Sequence, residues 1–251
     1  MTLNQSRSFL PIFFILITTV FTDVYLHANE NLNTTTIATF KFLDNENIKF
    51  ESQDKKLIRE KIKSTVSKVS KLIPELADSI NFTLLITERD LSIVNGVSGR
   101  ADKPTQIEII LSNSYKNGLN DAILDGLEFT LFHELHHTVR GWTIYGNKFP
   151  VGIDNAAVNE GLADIFASTY TNTRSNNYSK DENFDAWVKE ILALPKNANY
   201  SEWMFSHPDG RKAIGYRAGS YIIEKAMTRS GKTILELSKT SVEEIYTLAG
   251  Y

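Results

Sequence analysis

The sequence contains no cysteine, which removes disulfide bonds, thiolate metal ligands and a cysteine nucleophile together. Any metal must therefore rest on nitrogen and oxygen donors. An excess of one charge is lacking too. The 27 basic and 30 acidic residues leave a formal net charge of -3, too weak a field to favour nucleic acid or an anionic membrane as partner. Internal repeats and low-complexity tracts are missing. Gly96-Val97-Ser98-Gly99-Arg100 has neither the Gly-Lys-Ser/Thr ending nor the immediate helix of a phosphate loop. Long apolar runs are scarce: the run over residues 9–21 is shorter than the roughly 20 residues a membrane-spanning helix needs. With Arg7 before it and Ala28 after it, this run predicts a signal peptide over residues 1–28 and hence export, periplasmic or secreted. Leu26 stands where cleavage prefers a smaller residue, so an uncleaved N-terminal anchor is the alternative and the one route to a membrane.

What is present suits a folded enzyme-sized domain: 251 residues, 42% of them hydrophobic and 11% aromatic, can bury a sizeable core. Residues 29–36 are polar and rich in Asn and Thr, a linker or frayed start. A strand is predicted over 37–43. Ile58, Ile62, Val66, Val69 and Ile73 recur at helical spacing and predict an amphipathic helix over 55–73 that stops at Pro74. Strands follow over 82–87 and 106–111, with 95–103 between them expected as a loop because of Gly96 and Gly99. One long helix is predicted over 121–140, capped by Asn120 or Asp121 and ended by Gly141. Further helices are expected over 155–170, 184–194 and 212–229, with a polar stretch over 171–183. A last helix follows Ser241, with Glu244 at the capping-box spacing. The organisation is thus one domain over 37–251: a mixed lobe over 37–141 and a helical lobe over 142–251.

His133-Glu134-Leu135-His136-His137 fits the His-Glu-x-x-His pattern, whose physical content is that residues four apart share a helix face. Two imidazoles then converge on one Zn²⁺, and Glu134 is placed to take a proton from a zinc-activated water. A catalytic zinc needs a third protein ligand and an open position. Asn159-Glu160-Gly161-Leu162-Ala163-Asp164 offers Glu160 on a second helix, and Asp164 one turn on can accept the free N–H of a ligand imidazole. His136 is assigned a structural or supporting role. The metzincin pattern is excluded, because Gly141 lies one residue late and Thr143 stands where a third histidine would be.

These residues resemble the bacterial family of predicted Zn-dependent proteases, whose hallmarks are a His-Glu-x-His-His helix and a later Glu-Gly-Leu-Ala segment. Ser98-Gly99-Arg100-Ala101-Asp102 and Gly215-Tyr216-Arg217-Ala218-Gly219 extend the similarity over roughly residues 95–250. The Asn-Glu-x-x-x-Asp arrangement is also similar to that of gluzincins. The resemblance implies zinc on His133, His137 and Glu160, with Asp164 behind a histidine, and a peptide or protein as substrate.

An oxyanion donor is expected among Tyr216, Arg217, Tyr221 and His207. Tyr216 and Arg217 are favoured because they lie in the family-like segment. The fold expected is α+β and zincin-like: a small mixed sheet, with 106–111 as the edge strand that pairs with substrate, packed on the active-site helix under a helical C-terminal lobe. The alternatives are an exported zinc-containing domain that binds peptide without turnover, and a metallohydrolase of non-peptide substrates.

Overall fold

Alternation of apolar and polar residues builds the first strands. In the computed structural model, residues 36–171, 173 and 183–251 are described; the expected signal peptide, all but the last residue of the linker, and most of 171–183 lie outside them. Strand β1 (Ile37–Leu43) leads through helix α1 (Ser52–Leu72) to β2 (Ser79–Thr87). In β2 every second residue, Ile80, Phe82, Leu84 and Ile86, is buried, so one sheet face is core and the other is not. In α1 the predicted face, Ile58, Ile62, Val66 and Val69, is buried as well. Truncating a fully buried member such as Ile62 of α1 to Ala would cost roughly 2–5 kcal/mol.

The sheet corrects one expectation. Its order is β1-β2-β4-β3, where β3 is Val97–Lys103 and β4 is Gln106–Ser112. Strand β4 is paired on both sides, parallel to β2 and antiparallel to β3, so 106–111 is not an edge. The edge beyond β4 is β3, the segment expected as a loop. Only one of its seven residues, Val97, is β-branched or aromatic, so propensity argues against a strand there; pairing with the strongly apolar β4 overrides that weakness.

The helix expected over 121–140 is two helices. Helix α2 (Leu119–Asp125) ends at Gly126, and α3 (Leu127–Arg140) starts beyond it. A Cβ at Gly126 would stand 2.5 Å from the Asn95 carbonyl oxygen, so the break coincides with a close approach of backbone to backbone. Gly141 (φ 81°) ends α3 in the left-handed region, its N–H donating to the His137 carbonyl.

The remaining helices are α4 (Ile153–Thr171), α5 (Phe184–Leu192), α6 (Tyr200–Met204), α7 (Ile214–Ser230), α8 (Ile234–Leu237) and α9 (Val242–Ala249). Ser241 caps α9 by accepting from the Glu244 N–H, as its spacing predicts. Helices α6 and α8 are too short to show a period, although Asn199 and Thr233 cap them. Helix α4 runs through the core, and α7 crosses it where two glycines meet. A Cβ on Gly161 would lie 2.3 Å from Gly219 C, and one on Gly219 would lie 2.0 Å from Ala157 O. The architecture is α+β, a four-stranded mixed sheet with helix α3 against it and helices following. Among the described residues no helix is long and apolar enough to cross a membrane.

Candidate metal centre

Helix α3 delivers His133 and His137 to one point and α4 delivers Glu160 to the same point. His133 Nε2 and His137 Nε2 lie 2.9 Å apart, and Glu160 Oε2 lies 3.1 Å from the first and 3.2 Å from the second. All three residues are buried. Ligand atoms of a tetrahedral zinc, each about 2.0–2.1 Å from the metal, stand about 3.3 Å apart. The triangle is within a few tenths of an ångström of that, and its donors are the nitrogen and oxygen types zinc accepts, so the residues fit the ion.

Supporting groups orient the triangle. Asp164 Oδ1 accepts from His133 Nδ1–H at 3.0 Å, which leaves the Nε2 lone pair for a metal. Ser220 Oγ donates weakly to the other Asp164 oxygen at 3.5 Å. Arg140 Nε donates to Asn159 Oδ1 at 3.1 Å and Arg140 Nη1 to the Ser238 carbonyl at 2.8 Å, tying the end of α3 to α4 and to the end of α8. Burial opposes charge on His133, but the hydrogen bonds to Asp164 and Glu160 outweigh it and raise the imidazole well above its ordinary pKa. Burial also opposes charge on Glu160, and the two neighbouring imidazoles win, holding its carboxyl far below the usual range.

Glu134, within the field of His133, His137 and Glu160, lines a cleft of about 440 Å³ together with Gly99, Phe129, Thr130, His133 and Tyr216. Burial raises its carboxyl above the ordinary range, opposed by the adjacent imidazoles and by a hydrogen bond from the Ala101 N–H. Gly99 makes room for it: a Cβ there would stand 2.5 Å from Glu134 Cγ. Strand β3 therefore both touches the candidate base and forms one wall of the cleft.

The chain now declares its relatives. The family described as predicted Zn-dependent protease matches residues 58–247. The chain belongs to that family. No curated protein and no solved structure matches it.

In this member of the predicted Zn-dependent protease family, the other candidates are placed apart. Tyr216 lines the cleft beside Glu134, and burial followed by the field of Glu160 holds its hydroxyl well above the ordinary pKa. Arg217, the next residue on α7, faces elsewhere, its guanidinium over Phe184 at 5.6 Å and Trp187 at 5.1 Å. Tyr221 packs on Phe184. His207 packs on Trp203 and pairs with Asp209 at 2.8 Å. His136 Nε2 meets Ser238 Oγ at 2.9 Å, and burial holds its pKa well below the ordinary value.

Two site neighbours carry no signal in the sequence pattern. Trp142 Nε1 donates to Glu160 Oε1 at 2.8 Å. Tyr200 lies within the field of Glu160, its hydroxyl pKa raised by burial and then by that charge. The one hint for Trp142 is its place directly after the Gly141 stop.

Proposed function

We propose that this chain is an exported zinc metallopeptidase whose general base is Glu134. The observation that carries the reading is the convergence of His133, His137 and Glu160 on one point, with the buried Glu134 carboxylate in their field and lining an open cleft. A structural zinc is normally closed by four protein ligands; three beside a carboxylate suit catalysis.

Zinc held by the three residues supplies a Lewis acid that acidifies water and polarises a carbonyl. Glu134 takes a proton from the attacking water, and its burial-raised pKa suits handing that proton on to the leaving amine. Asp164 keeps His133 in the tautomer that presents Nε2 to the metal. Tyr216, with its hydroxyl held protonated at neutral pH, donates to the oxyanion as the carbonyl carbon becomes tetrahedral.

A peptide substrate is supported by the outer edge of β3 where it borders the cleft at Gly99. Antiparallel register turns Val97, Gly99 and Ala101 away from β4. Thr130 Oγ1 donates to the Val97 carbonyl and Ile144 N to that of Ala101, which leaves Gly99 as the edge position opposite the cleft. An extended chain laid there gains main-chain hydrogen bonds, while Ile93, Val94, Phe129, Met204 and Phe205 offer apolar contact to its side chains. Export rests on the signal-like residues 1–28.

The test is cleavage of a mixed peptide library by the purified protein, with zinc and after chelation, beside Glu134→Gln. The variant is expected to bind one zinc and to lose on the order of 10²–10⁴ in turnover. A Glu134→Gln variant that cleaves at the parent rate refutes the base; zinc uptake without cleavage by either form favours a peptide-binding domain.

A further inference from the structure

The two oxygens of Glu160 have different neighbours. Oε2 faces both imidazoles at 3.1 and 3.2 Å, whereas Oε1 accepts the indole N–H of Trp142 at 2.8 Å. The indole is not an incidental donor, because its backbone is fixed to the ligand helix. Trp142 N donates to the His137 carbonyl at 3.1 Å, directly after the left-handed Gly141. Phe149 packs edge-on against the ring at a centroid distance of 6.1 Å. The segment directly after the helix that carries both histidine ligands thus holds the group that restrains the third ligand.

A carboxylate can give a metal one oxygen or two, and two would consume the position a catalytic zinc must leave open. An N–H bonded to a charged carboxylate oxygen is a strong restraint on that choice. We propose that Trp142 is a positioning residue that reserves Oε1, so that Glu160 offers the metal Oε2 alone. The proposal rests on the zinc reading above. Arg140 independently ties Asn159, the residue before Glu160, to the end of α3, so α4 stays docked when the indole is replaced.

The experiment uses Co²⁺ as the metal, because its visible absorption is stronger in four-coordinate than in five-coordinate sites. The parent is compared with Trp142→Phe and with an isosteric benzothienylalanine at position 142, which keeps the ring shape and removes only the N–H. His133→Ala marks uptake at this site. The parent is expected to take up one Co²⁺ that His133→Ala does not bind. Both position-142 variants should keep the metal-free melting temperature, show weaker visible absorption and bind Co²⁺ about tenfold to a hundredfold less tightly. If Trp142→Phe fails to fold, the isosteric variant decides. Parent-like absorption and affinity without the N–H overturn the proposal. So does a fall in metal-free melting temperature with an unchanged spectrum, which would assign Trp142 to packing alone. A parent that takes up no Co²⁺ at His133 overturns the zinc reading and the proposal with it.

Discussion

Replacing Gly219 by Ala sets two well-understood effects against each other. Gly219 lies inside α7, where helix propensity alone favours Ala over Gly by about 1 kcal/mol. The crossing with α4 opposes it. The new methyl would stand 2.0 Å from the Ala157 carbonyl oxygen and 2.8 Å from its carbon. Ordinary contact begins near 3.4 Å, so the helices must part by about 1.4 Å. The obstructing atoms are backbone and cannot rotate aside. Overpacking of this kind costs roughly 1–3 kcal/mol or more, and the upper part of that range leaves a net loss of about 2 kcal/mol after the propensity gain. At about 2–4 °C per kcal/mol for a chain of this size, the melting temperature should fall by roughly 4–8 °C. The same methyl would lie 3.2 Å from Gly161 N, next to Glu160, so zinc affinity should fall with stability. Thermal unfolding with and without zinc measures both. An unchanged or higher melting temperature in Gly219→Ala would refute the close-crossing argument, because propensity would then have won.

Gly99→Ala tests β3 as the wall behind the base. The strand backbone accepts Ala without strain, but the methyl would displace Glu134 Cγ, and misplacing a reacting group by about 1 Å can cost 10²-fold. Turnover should fall at least about tenfold with zinc stoichiometry unchanged, and parent-like turnover would remove Gly99 from the argument. Asp185 gives a pH prediction. Hydrogen bonds from Lys225 and then Tyr251 hold its carboxyl below the usual range, so its contribution is complete above the unfolded value of about 3.9 and is lost as pH falls through the lower folded value. The melting-temperature gap between parent and Asp185→Asn should therefore be constant at neutral pH and shrink below about pH 4; a gap that stays constant in acid counts against the ion pair. The carboxylate is part-exposed, so the gap should also shrink in high salt.

What was legible in the sequence is what repeats at a fixed spacing. His133 and His137 meet because four residues make one turn, and the buried face of α1 follows from the same period. Glu160 and Asp164 share α4 for that reason too. What was hidden depends on atoms far away in the chain. Gly126 sits inside an apolar pattern that reads straight through it, and only the nearness of the Asn95 carbonyl marks the break. Strand β3 takes its conformation from β4 rather than from its own residues. Tyr216 and Arg217 are adjacent in sequence, yet neighbours on a helix point about 100° apart, so one reaches the cleft and the other reaches Phe184 and Trp187. The Trp142 bond to Glu160 spans the connection between two helices, where no periodicity operates.

Helix α4 has consequences for how this family can diversify. Thirteen of its nineteen residues are buried, and the same helix holds Glu160, Asp164 and the crossing with α7. Change on almost any of its faces therefore reaches either the core or the metal triangle, and little of α4 is free to drift. The cleft margin is different: Ile93, Val94 and Phe205 are 62%, 37% and 55% exposed and line the cleft without belonging to the buried core. New substrate preferences, whether selected in nature or in a library, have their room to vary at those three positions.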